Sequence, residues 1–223
     1  MDAVTLAGVA ARRSAMYWLQ AELLLACPNE ARIARLRRDL SVLTDDRTDH
    51  PLAKDLSALL GALPSAEDAA GIIRLAVEYT RLFGGIGASY GLPAPYESVH
   101  RRAAEAADLV AAVTRDYLDA GLAAIDEAAP PDHVGVELKF LALLCHGENA
   151  AWRGGREAVA VQALGRQRRF LDDHLLQWAP AYWELVRDKA QHQFFRSLAA
   201  LAHLALVEDR ALIGEILVGI DAA

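Results

Sequence analysis

The chain has 223 residues and a formal net charge of −7, from 23 basic and 30 acidic side chains. That length accommodates one large domain or two small ones with a real core. The acidic balance argues against nucleic acid or an anionic lipid surface as partner and suits a basic peptide. Hydrophobic residues make up 54% of the chain with only 7% aromatics, so Ala, Leu and Val are expected to build a core of close-packed helices.

The first expected helix runs from about Val4 to Ala26 and stops at Cys27-Pro28-Asn29, where the proline cannot continue it. Within it, Arg12-Arg13 precedes an apolar stretch and superficially resembles a twin-arginine export signal. Glu22 interrupts that stretch, no A-x-A cleavage site follows, and the apolar residues keep helical spacing. It therefore reads as the first helix of a mature cytoplasmic protein. A second helix is expected over Glu30 to Leu43, with Ile33, Leu36 and Leu40 inward and its arginines forming a solvated face. After the polar stretch Thr44 to His50, Pro51 suits the first turn of a third helix ending near Gly61.

Pro64-Ser65 opens a fourth helix, with Ser65 as the expected cap and Asp68 imitating a capping box. It carries Ile72, Leu75, Val77, Tyr79, Leu82 and Phe83 into a loop with Gly84, Gly85, Gly87 and Gly91, stiffened at its exit by Pro93 and Pro95. A loop of such specific composition between two helices is where function is expected to concentrate. Glu97 to about Ala120 reads as one long helix, followed by Gly121 and a short piece to Ala129.

Pro130-Pro131-Asp132 is the clearest internal punctuation, so a sub-boundary is expected near 121–131. Asp132 is the expected N-cap of a helix carrying Val134, Leu138, Leu141 and Cys145 inward and closing at Arg153-Gly154-Gly155. Further helices are expected over Glu157 to Trp178, Tyr182 to Gln191 and Phe194 to Ile220, with a break at Ala179-Pro180. Nothing of strand length alternates. The longest apolar run, Leu198 to Val207, is well short of the ~20 residues a membrane span needs. The expectation is an all-α, single-domain helical bundle of roughly nine to eleven helices over residues 1–223.

Few constellations carry chemistry. Glu97 and His100 have the E-x-x-H spacing of di-iron bundles, which require a second such motif. None exists in the chain, so no metal or other cofactor is expected. His133 and Glu137 stand at i and i+4 beside Asp132. They form either a cap with an intrahelical hydrogen bond, or an acidic cluster whose carboxylates can fork onto an arginine. Gly84-Gly85-Ile86-Gly87 lacks the lysine and preceding strand of a phosphate loop. Cys27 and Cys145 form no CxxC pair and read as two buried thiols. Trp178, Tyr182, Trp183, Phe194 and Phe195 read as helix-packing residues, and the remaining histidines as structural or surface groups. These features suit a groove for a basic, partly apolar peptide. The alternative is a small nucleotide-binding or hydrolytic helical enzyme using Asp132, His133 and the glycine loop.

Four stretches together resemble the TorD/DmsD/NarJ family of maturation chaperones for molybdenum-cofactor enzymes. The first is Tyr79, Leu82, Phe83, Gly84/Gly85, Pro95 and Tyr96-Glu97-Ser98-Val99; the second is Pro131-Asp132-His133-Val134-Gly135-Val136-Glu137-Leu138. Weaker matches are Arg13, Tyr17, Leu24 and Pro28 near the start, and Phe170, His174, Leu175, Trp178, Phe194 and Phe195 late on. Ala94 stands where the family often has a proline, and His100 where it often has tyrosine.

The resemblance implies a TorD-like, non-enzymatic chaperone that binds the twin-arginine leader, the apo catalytic subunit of a molybdopterin-dependent oxidoreductase, or both. Such a chaperone would hold back export until the cofactor is inserted. It implies a cytoplasmic protein, either a monomer or a helix-swapped dimer, and guanine nucleotide as a further ligand. An arginine-rich leader calls for carboxylates and an apolar groove. Glu97, Asp132 and Glu137 are the expected acidic contacts, shaped by His133, with Ser98 beside them. Tyr79, Leu82, Phe83, Pro95 and Tyr96 are the expected apolar wall. If His133 lines the groove, binding is expected to depend on pH between about 5 and 8.

Overall fold

The computed structural model describes residues 1–45, 52–84, 91–101, 106–122, 125–126 and 129–221. Helix α1 (Ala3–Leu25) is followed by α2 (Glu30–Asp45), α3 (Ala53–Gly61), α4 (Ala69–Phe83), α5 (Glu97–His100) and α6 (Ala106–Asp119). Then come α7 (Val134–Arg153), α8 (Glu157–Phe170), a π-helical turn (Leu171–Leu175), α9 (Leu176–Lys189) and α10 (Gln193–Asp221). The fold is all-α, and the β-type pairing among the described residues is one isolated bridge between Tyr96 and His133. Pro51, His50 with the rest of 46–50, and the loop glycines Gly85 and Gly87 lie outside the described residues.

Two compact units divide the chain. The first comprises Met1–Leu25, Tyr96–Ala179 and Leu206–Ala223; the second comprises Ala26–Pro95 and Pro180–Ala205. The segment 121–131 lies inside the first unit.

In the first unit, α1 and α7 pack closely. A Cβ on Gly135 would stand 2.7 Å from Leu25 Cγ, so a larger residue there would have to displace that side chain. Two side chains tie the backbones directly. Ser14 Oγ donates to the Ala142 carbonyl at 2.8 Å, and Asn149 Nδ2 to the Ala7 carbonyl at 2.6 Å. Beside them a buried arginine joins four helices. Arg13 of α1 forks onto Asp209 of α10 through Nε and Nη2. Its Nη1 reaches Glu148 of α7 at 2.8 Å, and Nη2 also donates to Gln167 of α8. Tyr17 Oη completes the set on Asp209 at 2.6 Å. Burial alone would depress the guanidinium pKa, but Asp209 and Glu148 hold it above its ordinary value. Arg12-Arg13 thus belongs to a helix whose second arginine is part of the core.

The second unit buries Ile33, Leu36 and Leu40 of α2, with Tyr182, Trp183, Phe194 and Phe195. Arg32, Arg35 and Arg38 are exposed, as expected of a solvated face. Arg37 instead donates to the Leu63 and Pro64 carbonyls at 2.9 and 3.3 Å, fastening the turn before α4.

Several boundaries differ from expectation for identifiable reasons. The cap of α4 is Asp68, whose carboxylate accepts from Gly71 N–H at 2.8 Å; Ser65 offers its carbonyl to Asp68 N–H at 3.2 Å. The long helix expected from Glu97 is found as α5 and α6, because Arg101 leaves helical geometry (φ −86°, ψ 12°) as the C-cap of α5. α6 ends in a Schellman closure, with Gly121 at φ +79° and Leu122 N–H bonded to the Tyr117 carbonyl at 2.9 Å. Pro180 does not break the chain: it lies inside α9, five residues past a π turn that widens the helix, and marks a boundary between the units. Cys145 is buried as expected, but Cys27 is exposed because it stands just past the end of α1.

The Arg13 network generates a stability prediction. Replacing Asp209 by Ala leaves a buried guanidinium short of its forked partner, a loss of about 3–5 kcal/mol. Urea unfolding at neutral pH should show a much lower midpoint with an unchanged m-value.

Candidate functional site

α5 has four residues, and its N-cap Tyr96 supplies no side-chain acceptor. The first N–H groups of a helix need acceptors, and here Asp132 provides them from 34 residues away. Its carbonyl accepts from Glu97 N–H at 2.9 Å. Its carboxylate Oδ2 accepts from Ser98 N–H at 3.2 Å and from Ser98 Oγ at 2.5 Å. Asp132 was expected to cap the helix that follows it; instead it caps α5. His133 takes the expected role on α7, with Nδ1 accepting from Gly135 N–H at 3.0 Å. That bond leaves the ring proton on Nε2. The Tyr96 ring packs edge-on against His133 at 5.4 Å, and Tyr117 Oη donates to the Pro131 carbonyl at 2.7 Å, holding the approach to both caps.

The carboxylates cluster behind this junction. Glu97 is fully buried; its Oε1 accepts from Arg101 Nη1 at 2.5 Å, and its Oε2 lies 2.9 Å from His174 Nδ1. The other ring nitrogen of His174 is 3.3 Å from Asp116, so one imidazole on the π turn bridges two acids. Arg101 Nη1 also donates to the Asp173 carbonyl at 2.8 Å.

Glu137, one turn into α7, is fully buried, and neither of its oxygens makes a hydrogen bond of normal geometry. Burial pushes its pKa well above the ordinary carboxyl range, and the neighbouring charges of Glu97 and Asp132 push the same way. The shift favours its protonated form, and the group adjoins Glu97 and the Trp178 indole. The alternative of an intrahelical His133–Glu137 bond is not what forms, since His133 turns to Gly135.

The structure thus gathers Tyr96, Glu97, Ser98, Asp132, His133 and Glu137 in the first unit. Tyr79, Leu82, Phe83 and Pro95 belong to the second. There Leu82, Phe83 and Pro95 are buried and Tyr79 is half-buried, its ring 5.3 Å from Phe83, which meets Phe195 edge-on at 5.7 Å. Glu78 pins this helix end, forking onto Arg81 at 2.7 Å and accepting from Gln191 N–H at 2.6 Å. Gly91 returns so close that a Cβ would lie 2.3 Å from the Arg81 carbonyl oxygen.

Glu97 and His100 are not brought together as ligands; His100 stacks on Trp178 at 5.1 Å. Among the described residues, no group of three or more His, Cys, Asp or Glu could hold a metal ion. Asp132 and His133, the pair a hydrolytic reading would use, are both engaged as helix caps. Two members of the cluster were not expected at this site, His174 being named only among the weaker family matches. Arg101 had a signal in its i, i+4 spacing from Glu97, whereas His174 had none local to it.

The family model described as nitrate reductase delta subunit matches residues 45–184. The chain is 27% identical to the chaperone protein TorD of Vibrio cholerae serotype O1 (strain M66-2), over 92% of this chain and 94% of that one. It is 37% identical to the selenate reductase assembly chaperone protein of Thauera selenatis, over 43% of this chain and 50% of that one. It is 47% identical to the chlorate reductase assembly chaperone protein of Ideonella dechloratans, over 26% and 28% respectively.

Burial lowers the His133 pKa from 6.5 to about 4, against the upward pull of Asp132 and Asp126, so its titration lies below the expected window of pH 5 to 8. In the unfolded chain the imidazole binds its proton from about pH 6.5 downward, while the folded one waits until about 4. Stability from this residue is therefore complete above 6.5 and is lost as pH falls toward 4, a change of about 3 kcal/mol. His133→Asn retains a capping acceptor but cannot titrate, so its urea midpoint should vary less with pH across that window than the parent's.

Proposed function

The chain belongs to the nitrate reductase delta subunit family of TorD- and NarJ-type maturation chaperones, and from that premise we propose that it is a cytoplasmic chaperone for the apo catalytic subunit of a molybdopterin-dependent oxidoreductase. On this reading it engages the subunit's twin-arginine leader and holds back export until the cofactor is in place. The relatives are named as chaperones or assembly chaperones and not as enzymes, and this chain is read in the same way.

One observation carries the leader reading: Glu97, Asp132 and Glu137 converge in the first unit with a guanidinium already resting on Glu97. A leader with two arginines presents the same chemistry, two planar forks that favour carboxylate acceptors. Tyr96 and Ser98, both half-buried, flank that acid at the surface. In the second unit Tyr79 is half-buried with its ring against Phe83, and Tyr79, Leu82, Phe83 and Pro95 are proposed as an apolar client contact of that unit by itself. No helix among the described residues is long and apolar enough to cross a membrane, which accords with a client met before export.

The test is calorimetry with a synthetic peptide carrying two adjacent arginines ahead of an apolar segment. Glu97→Gln keeps the side chain's shape and removes its charge. It should weaken the peptide by roughly 30-fold or more, as for removal of one partner of a buried charged pair. The far-ultraviolet dichroism should be preserved. Equal affinities for variant and parent would sink the assignment of Glu97. Binding of a leader-deleted subunit without binding of the peptide would move the contact to the client's body.

A further inference from the structure

Arg101 sits where a client's arginine would have to sit. We infer that Glu97 is an exchangeable guanidinium receptor, closed in the free chain by Arg101 and opened when an arginine of a bound peptide displaces it. This rests on the leader-binding reading above and adds to it the residue that competes with the leader.

Geometry sets this pair apart. Arg13 forks onto Asp209, Arg81 onto Glu78, and Arg210 onto Asp172, each through Nε and Nη2. Arg101 instead meets Glu97 end-on, through Nη1 alone, and shares that nitrogen with the Asp173 carbonyl. A forked pair gains a second charge-assisted bond that an end-on pair lacks. Exposure points the same way: the Glu97 side chain is 0% exposed and that of Arg101 33%. The acceptor is internal and its cation reaches in from solvent.

Release of Arg101 would not dismantle the receptor. Asp132 holds the start of α5 through Glu97 N–H and both donors of Ser98. The other Glu97 oxygen keeps His174. None of these bonds involves Arg101, so the carboxylate stays aimed at the vacated position, and preorganisation of this kind favours binding. A second feature marks the place as built for more than one nitrogen. Glu137, completely buried and without a completed hydrogen bond, adjoins Glu97 from α7. An incoming fork brings two nitrogens where Arg101 brings one, and the Glu137 carboxyl lies beside Glu97 on that side. Arg101 has the advantage of being tethered, with an effective concentration on the order of millimolar. The competition is therefore one that an arginine held by further apolar contacts can win.

The experiment uses the full chain and the peptide of two adjacent arginines ahead of an apolar segment, with a control peptide bearing glutamines in their place. Arg101→Gln should tighten the arginine peptide by about tenfold, the scale set by removing a tethered competitor, and leave the glutamine peptide unchanged. Arg101→Lys keeps the charge and should give a smaller increase; it decides the matter if the glutamine variant loses its helical dichroism. If the parent binds the arginine peptide and neither variant binds it more tightly, Arg101 is no competitor and the inference is overturned, while leader binding stands. If the arginine peptide binds neither parent nor variants, the leader reading falls and takes the inference with it.

Discussion

The site depends on one residue satisfying a helix that follows it in space and precedes it in sequence. A four-residue helix cannot persist on its own backbone bonds, because nucleation costs more than one turn returns. α5 exists because Asp132 supplies three of its donors with acceptors, a carbonyl for Glu97 N–H and a carboxylate for the two donors of Ser98. The next residue, His133, caps α7. Two helix starts are thereby locked to a single dipeptide, and the backbone bridge between Tyr96 and His133 adds a second fixed point. Glu97 follows the first cap directly and Glu137 stands one turn beyond the second, so their convergence follows from the caps. Two sequence stretches that resemble separate motifs are one structural joint.

Burying acids in this way requires that each be dealt with differently. Asp132 stands at a helix N-terminus, where N–H groups and the helix dipole favour negative charge. Glu97 is paired with Arg101 and bridged through His174 to Asp116. Burial and the charges of Glu97 and Asp132 push the Glu137 pKa upward. The Arg13 network in the same unit offers a contrast, since its guanidinium is shared among Asp209, Glu148 and Gln167. Gln167 in turn donates to Glu148 at 3.0 Å. There every donor of the guanidinium group's fork has a buried acceptor, which is the pattern of a structural tie. Around Glu97 one cation is held end-on and one carboxyl has no completed bond, so polar capacity remains in hand.

Much of the fold is legible in local chemistry. Pro28 ends α1, Gly154-Gly155 ends α7, and the aromatic residues of the last third are buried as their helical spacing implies. Each of these signals acts on its own neighbours, and that is why it can be read from sequence. Asp132 could be recognised as a capping residue from its type and its place before an apolar helix. Which helix it caps is a long-range fact, and the local rule named the wrong one. His174 is a lone histidine in an otherwise ordinary helix; its partners Glu97 and Asp116 come from other elements, and a π turn sets the ring between them. Pro180 signalled a helix end, yet it lies inside α9, five residues past the π turn. Composition fixed the class, punctuation fixed most boundaries, and the polar joint required tertiary structure.

That the gathered acids are buried bears on how selective a chaperone of this kind could be. An exposed acidic patch attracts any basic segment, weakly and with strong dependence on salt. A carboxylate inside the fold, already paired, imposes a threshold: an arriving cation must displace a tethered arginine and match an acceptor whose second oxygen is engaged. Lysine, a point charge without a fork, gains little over the end-on contact it would replace. Guanidinium gains the second bond. Selectivity is a difference between two affinities, and here it would come as much from what occupies Glu97 beforehand as from what can reach it. A hidden acid with a displaceable cation would therefore favour one arginine-bearing segment over other basic segments.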